Sequence, residues 1–457
     1  MTYPNVLVLQ YLKKTGQLMP ETQLKAEKYI ADGYQRLLTF EVTGGGFSWF
    51  GNPPALVGMT AFGLMEFSDM AQVYEVDPAV IERTAAWVRR QQQGYGSWGD
   101  PLTTAYVTWA LAEIGQGNTP EAQTALSNLR NNWRTERDPY VLSLIANALA
   151  AMNDPLAQEV LRELDDMKIA AGESVHWEAR QRTLVGTESV TTGAMETTAL
   201  VVHAMLRAGA FPQTARAGLT YLIGKKDAFG TWQSTQATVL ALKAFILAAT
   251  EPGGAAEPGE VTVSVDGVAQ APITITPENA DALYSVVFDD VSLGDHSVAF
   301  QMRGGGNLMY QVTADYYLPW DQVSRDPGTV QQMDITVDYD RRRLAVNDEI
   351  TARAQIVLLR SAPAVLAIVD LGVPPGFSVD SGDLERLVKN GVIQRFELTG
   401  RQIVLYIENL RPSYPVQVTY RLRARFPLKA KAPSSMAYDY YSPDSSETEP
   451  PVDFVVE

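Results

Sequence analysis

The chain divides by the period of its apolar positions. Up to about residue 250 they recur at helical spacing: Ala26, Ile30, Tyr34 and Leu37 fall three or four apart, as do Val80, Thr84, Trp87 and Val88. Beyond that point the pattern alternates. Val261, Val263 and Val265 alternate with Thr262 and Ser264, run into Asp266-Gly267 and resume with Ile273 and Ile275, which predicts a β-hairpin with a primed turn. Met333, Ile335, Val337 and Tyr339 alternate with Asp334, Thr336 and Asp338, and the stretch from Val416 to Phe426 repeats the alternation. Both read as strands with one buried face. One helix interrupts them: Asp380 caps it, Asp383 lies in its first turn, Leu384, Leu387 and Val388 form its apolar face, and Gly391 ends it.

Helix starts in the first part are marked by Asp77-Pro78, Asp138-Pro139 and Asp154-Pro155, each a capping carboxylate followed by a proline whose missing N–H is no loss at the first helical position. A motif also repeats: Gly46-Phe47-Ser48-Trp49, Gly94-Tyr95-Gly96-Ser97-Trp98 and Phe229-Gly230-Thr231-Trp232. Each is followed shortly by an apolar helix rich in Thr and Ala, and the helices of this part contain Thr60-Ala61-Phe62-Gly63-Leu64, Thr104-Ala105-Tyr106-Val107 and Thr198-Ala199-Leu200. The glycines permit a turn between helices, and the indole is expected to cover the end of the next helix pair. Helical hairpins repeated in this way close into an α/α toroid, with the aromatics as core rather than as a ligand platform.

The predicted fold class is therefore multidomain α + β, an α/α toroid followed by β-sandwich domains. Residues 1–250 form the toroid, 251–259 a linker rich in Gly, Pro and Glu, 260–325 a β-rich segment, and 326–457 a β-sandwich carrying the helix. Composition narrows the function. With 457 residues, 46% apolar and 20% charged, the chain reads as a globular protein of several domains. Its net charge of −16 repels phosphate backbones and anionic lipid, so nucleic acid is excluded as a partner and no membrane contact by this chain is expected. It contains no cysteine, which removes disulfides, thiolate metal sites and a cysteine nucleophile. The start shows no signal-peptide pattern, and no apolar run has the length of a membrane span.

The opening Pro4-Asn5-Val6-Leu7-Val8-Leu9-Gln10-Tyr11-Leu12 with Thr15-Gly16-Gln17-Leu18 resembles the segment that follows the thioester motif in the alpha-2-macroglobulin and complement thioester protein family. Gly33-Tyr34-Gln35-Arg36, Met195-Glu196-Thr197-Thr198 and Ser234-Thr235-Gln236-Ala237-Thr238 follow in the order that family shows around its toroid. Phe377 to Gly391 and Tyr438-Asp439-Tyr440-Tyr441-Ser442-Pro443 resemble its C-terminal, receptor-binding domain. The resemblance implies a CUB-like or macroglobulin-like identity for residues 260–325. It further implies that this is the C-terminal part of a broad-spectrum endopeptidase inhibitor, a protease trap whose thioester acylates the attacker. The parent is expected to be extracellular or periplasmic. Its partners are the remainder of the parent and, through it, target proteases.

The family's Cys-x-Glu-Gln element falls upstream of Met1, so this chain is expected to be no enzyme and to need no cofactor or metal. The histidine that some complement relatives place after the second repeat has no counterpart in Trp98-Gly99-Asp100-Pro101-Leu102. His176, His203 and His296 are scattered and read as structural or surface residues. In the family, aromatics of the C-terminal domain cover the thioester, and the matching residues are Tyr438, Tyr440 and Tyr441, either a shield or a domain interface. On strand periodicity Tyr438 and Tyr440 share one face and Tyr441 takes the other. The segment matching the lysine pair of animal receptor-binding domains, Ser378 to Glu385, is acidic here. Two alternatives stand beside this reading. A toroidal terpene cyclase could use Asp165-Asp166 as a metal pair, with Gln92, Gly96 and Trp98 resembling its repeat, and an adhesion module could be built from sandwiches behind a helical domain.

Overall fold

The computed structural model describes residues 2–15, 18–184, 190–227, 230–250, 258–276, 279, 284–289, 291–304, 310–322 and 331–457. Phe229 and most of the expected linker lie outside them. The helical part runs as pairs: α1 (Thr2–Thr15) and α2 (Pro20–Leu38), α3 (Val57–Ala71) and α4 (Pro78–Arg90), α5 (Pro101–Glu113) and α6 (Pro120–Asn132). It continues with α7 (Pro139–Ala151) and α8 (Ala157–Asp166), α9 (Val190–Arg207) and α10 (Pro212–Gly224), and α11 (Thr235–Thr250). Each odd-numbered helix packs on the next, and α11 returns to α1, so the odd helices close a ring while the even ones pack on their predecessors. This is the toroid that the helical spacing predicts.

Burial follows composition. The inner helices α5 and α7 are apolar or small on every side, and Leu102 together with every residue from Thr104 to Leu111 is buried. The outer helix α8 is amphipathic and buries only Ala157, Val160, Leu161 and Leu164. Two of the three Asp-Pro caps form as expected: Asp77 Oδ1 accepts from the Ala79 N–H, and Asp138 Oδ1 from the Tyr140 N–H, each at 2.9 Å. Asp154 instead sits in a turn before α8, accepting the Leu156 N–H at 3.0 Å, and the helix itself starts at Ala157 without a side-chain cap. The second Asp138 oxygen accepts the Gln181 N–H at 2.9 Å, tying the loop before α9 to the start of α7.

After the toroid, Gly259–Val265 pairs antiparallel with Val268–Ala269, Ile273–Ile275 and Val298–Gly304. The hairpin register sets Val265 opposite Val268, so the turn has two residues, Asp266 and Gly267, both at positive φ (50° and 82°). The last part packs two large sheets around one core, to which a smaller sheet of Arg343–Leu344, Val452–Val456 and Leu428–Ala432 also contributes. The first orders Phe377–Val379, Val416–Ala424, Glu349–Leu358 and Met333–Tyr339, all antiparallel. The second orders Arg395–Leu398, Gln402–Leu410, Ala364–Gly372, Ser435–Asp439 and Ser442–Glu449. Met333, Ile335 and Val337 face inward, as their alternation requires. Helix α12 (Ser381–Lys389) is capped by Asp380, whose Oδ1 accepts the Gly382 N–H at 3.0 Å.

Candidate functional site at the contact between toroid and sandwich

The N-terminal ends of the inner helices are built alike. The indole N–H of Trp98 donates to Val88 O at 2.8 Å, that of Trp232 to Leu222 O at 2.7 Å, and that of Trp177 to Leu164 O at 2.6 Å. Each indole thus adds a second donor to a last-turn carbonyl of the preceding outer helix (α4, α10 and α8), which also accepts a backbone N–H, and does not cover the end of the next pair as the sequence predicts. The backbone N–H of the same tryptophan is taken by a threonine hydroxyl of the helix that follows: Thr104 for Trp98 at 2.9 Å, Thr238 for Trp232 at 3.0 Å, and Thr198 for Trp177 at 3.1 Å. In the first repeat Phe47 occupies this place, with its N–H 2.9 Å from Thr60 Oγ1. Trp49 is thereby released from the core and meets the sandwich.

The contact partner is the turn between Ser435–Asp439 and Ser442–Glu449. The register shifts between Tyr438 and Asp439, and Asp439 pairs with Ser442, so Tyr440 and Tyr441 form the turn itself instead of continuing a strand. The expectation of two opposite strand faces is corrected by this irregularity: Tyr438 stays in the sheet, half-buried opposite Ile368, while Tyr440 and Tyr441 cross edge to face with ring centroids 5.0 Å apart. The turn is anchored from below by fully buried Asp439, whose Oδ1 accepts the Tyr441 N–H at 2.9 Å and whose Oδ2 pairs with Arg360.

On the toroid side, Thr192 in the first turn of α9 donates to Tyr441 O at 3.2 Å, and Thr235, the first residue of α11, lies 3.4 Å from the Tyr440 hydroxyl. The Trp49 ring packs on Tyr441 at 5.6 Å, Phe50 meets Tyr406 edge-on at 6.0 Å, and Arg36 bridges to Glu397 at 2.8 Å. Burial pushes the Tyr441 phenol well above its ordinary range. Helix α1 enters the ring at this same end, because it runs parallel to α3: Gln10 Nε2 donates to Asp69 O and, one turn on, Lys13 Nζ donates to Val73 O.

Inside the ring, below this contact, sit charged and polar groups that the hydrophobic pattern does not announce. Glu66 on α3 and Glu196 on α9 are buried, and desolvation pushes each carboxyl up to about 8. The Thr183 and Tyr140 hydroxyls pull Glu196 back without offsetting its burial. Its Oε2 has no hydrogen-bond partner, and the side-chain amide of buried Gln236 on α11 faces the Tyr106 and Tyr140 hydroxyls. Deeper in, Lys243 Nζ meets Asp69 Oδ2 at 2.5 Å, and the Tyr3 hydroxyl donates to the same oxygen at 2.6 Å. His203 is held neutral, pushed by burial down to about 3, with Nδ1 2.6 Å from Asn147 Oδ1. Since the Asn147 amide nitrogen donates to Ser143 O and Leu200 O, the imidazole Nδ1 carries the proton.

The remaining sequence candidates fall elsewhere. Asp165 is tied to Lys168 and Thr214 on outer helix α8, and Gln92 donates to Glu121 O, so neither faces the ring interior as a cyclase would need. No cluster of metal-binding side chains occurs among the described residues. His176 stacks on Tyr221 at 4.6 Å, and His296 pairs with Asp266. Asp380 and Asp383 are not free acidic groups, because both bond Arg421.

Comparison with known proteins agrees with this architecture. The A-macroglobulin TED domain family model matches residues 1–247, and the A-macroglobulin receptor binding domain model matches residues 363–450. Ovostatin of Gallus gallus is 23% identical, an alignment that spans 96% of this chain but 31% of ovostatin. Native alpha-2-macroglobulin of Escherichia coli, solved from domain MG7 to the C-terminus, superposes with a TM-score of 0.65 at 17% identity, covering 98% of this chain and 70% of that one. Salmonella alpha-2-macroglobulin reacted with methylamine gives 0.66 at 17% identity, covering 100% of this chain and 29% of that one.

Proposed function

This chain belongs to the alpha-2-macroglobulin family, and we propose that it is the C-terminal portion of a broad-spectrum endopeptidase inhibitor, active only within a longer parent. One observation carries the reading: the Tyr440–Tyr441 turn of the sandwich lies over the N-terminal ends of α9 and α11, at the end of the ring that α1 enters. In this reading the family's Cys-x-Glu-Gln element lies just before α1, at that same end. A thioester is an activated acyl group that survives only while water and amines are kept away. Tyr441, buried against Trp49, supplies an apolar ring for that purpose, and Tyr440 closes the side toward α11.

Lacking cysteine, the chain by itself neither catalyses nor traps. Its partners are the rest of the parent and, through it, target proteases. We divide it as toroid to residue 250, linker, β-rich segment from 260 to 325 and receptor-binding-like sandwich from 326. The parent's place is extracellular or periplasmic, and among the described residues no helix is long and apolar enough to cross a membrane.

Two measurements test this. Incubation of the chain with trypsin should yield neither an amide-linked adduct nor protection from large inhibitors, and a covalent adduct refutes the reading. In a longer polypeptide that includes the preceding segment, Tyr441→Ala should speed thiol release by water or methylamine at unchanged melting temperature. Unchanged release for Tyr438→Ala, Tyr440→Ala and Tyr441→Ala alike removes the shield.

A further inference from the structure

The turn does more than cover a surface, because of what lies one helical turn beneath it. Thr192, whose hydroxyl holds the Tyr441 carbonyl, precedes Glu196 by four residues on the same face of α9. The Glu196 side chain is 3% exposed, and its Oε2 has no partner. On the neighbouring helix Thr235, against the Tyr440 hydroxyl, is followed by buried Gln236, whose amide faces the Tyr106 and Tyr140 hydroxyls. A buried carboxylate with one oxygen unpartnered carries a large desolvation penalty that the Thr183 and Tyr140 hydroxyls only partly offset, whereas a neutral carboxylic acid carries a small one. Lifting the turn would let water reach these first helical turns and remove the difference.

We propose that docking of the Tyr440–Tyr441 turn on the toroid is linked to a proton on Glu196, so that the docked form holds the carboxyl neutral and undocking releases that proton to water. This makes the contact between the two domains a latch that loosens as pH rises, whatever the turn covers in the parent protein.

The surroundings leave Glu196 as the titrating group. Facing it are Tyr140 from α7, Tyr106 from α5, Thr183 from the loop before α9 and Tyr441 from the turn, all uncharged at neutral pH. On α9 itself His203 lies two turns further on and stays neutral, and Arg207 is paired with Glu113. On α11 Lys243 is paired with Asp69 of α3. Against α10, Tyr221 is stacked on His176, with Lys225 over its ring. Asp439 under the turn is locked by Arg360. The other raised carboxyl, Glu66, acts on Tyr3 and Tyr106, while the turn's Tyr441 senses Glu196. With the docked carboxyl titrating at about 8 and the hydrated one near the ordinary 4.5, the undocked-to-docked ratio gains up to tenfold per pH unit between these values and is level above about 8.

Because the chain has no cysteine, Thr192→Cys places a single reporter thiol under the turn. Its rate of labelling by a thiol reagent, divided at each pH by the rate in the urea-unfolded chain, gives the exposed fraction free of the thiol's own titration. That fraction should climb from pH 5.5 to 8 by up to about tenfold per unit and then flatten. Adding Glu196→Gln, isosteric and uncharged, should flatten the whole profile, while adding Glu66→Gln should leave the slope. A slope that persists with Glu196→Gln, that vanishes with Glu66→Gln alone, or that is absent from the start overturns the proposal. Hydrogen exchange of the unmodified chain provides a second reading that needs no variant to fold. After correction for intrinsic exchange, the peptide containing Thr192 to Glu196 should open faster with pH than a peptide within α6, and equal pH dependence of the two overturns it as well.

Discussion

Replacing Thr104 by valine tests how the ring is stitched together. The hydroxyl accepts the Trp98 N–H at 2.9 Å and donates to Asp100 O at 2.8 Å, inside a site with almost no solvent. Valine has the same shape, so no cavity forms. The Asp100 carbonyl keeps a partner, since the Thr104 N–H donates to it at 3.0 Å, and loss of the second donor costs about 0.5–1 kcal/mol. The Trp98 N–H is left buried and unpaired, at about 2 kcal/mol. Burying a methyl in place of the hydroxyl returns about 0.8 kcal/mol. The net loss is about 2 kcal/mol. Thr108 is the control: it is also fully buried, but its hydroxyl donates only to Thr104 O at 2.7 Å, and no N–H depends on it. Thr108→Val should therefore stay within about 0.5 kcal/mol of the parent chain. Urea unfolding followed by helical circular dichroism measures both. Equal losses for the two variants would show that the hydroxyl beneath the tryptophan is not what fixes the loop, and would remove the reason given for the repeated threonines at positions 60, 104, 198 and 238.

Other outcomes follow from the same structure. Gly96→Ala should cost at least about 2 kcal/mol in thermal unfolding, because Gly96 has φ +73° and an added Cβ would lie 2.6 Å from the Thr124 carbonyl carbon. Glu66→Gln should lessen the pH dependence of toroid stability, leaving the part due to Glu196: the folded Glu66 carboxyl keeps its proton to about 8 while the unfolded one loses it near 4.5, so its contribution is full below 4.5 and falls as pH rises toward about 8, by up to about 1.4 kcal/mol per unit. Melting curves at pH 5 and pH 8 measure the difference. Asp439→Asn should lower the sandwich's stability by about 3 kcal/mol, since Arg360 loses its buried partner, and Asp439→Asn combined with Arg360→Met should recover much of it in denaturant titrations. Acidic receptor modules of the animal type should show no nanomolar binding in calorimetry, because the segment Ser378 to Glu385, expected to match the lysine-bearing one, is acidic, with Asp380 and Asp383 holding Arg421 within the domain.

The ring was legible because its signals are local. Asp-Pro caps, glycine turns and three-four spacing each act within a few residues, and the Asp266-Gly267 turn needs only two. The site was less so. Tyr438 and Tyr440 alternate as a strand would, and only the pairing of Asp439 with Ser442 across the hairpin makes Tyr440 and Tyr441 a turn, a tertiary fact with no local mark. Trp177 joins the tryptophan series through Leu164 O and Thr198, yet no Gly-aromatic motif precedes it. Phe47 takes the place expected of Trp49, since hydrogen bonding to Thr60, not ring type, sets the register. Glu196 did carry a signal. From Ala194 to Met205 the helix is buried on every side, so a glutamate within that run has no solvated face to occupy.

The closure of α11 on α1 also bears on how the chain is made. The apolar face of α1, with Tyr3, Val6, Leu7 and Leu9, leaves the ribosome well before the helix that completes its burial, which begins at Thr235. At ribosomal speeds of about 10 residues per second, that face waits on the order of 20 seconds for its last neighbour. Until then α2 and α3 cover it only in part, and the newborn ring is an open arc with two sticky ends. A holding chaperone is most needed in that interval, and the seam between the first and last helices is where an unfinished copy would join another copy instead of itself.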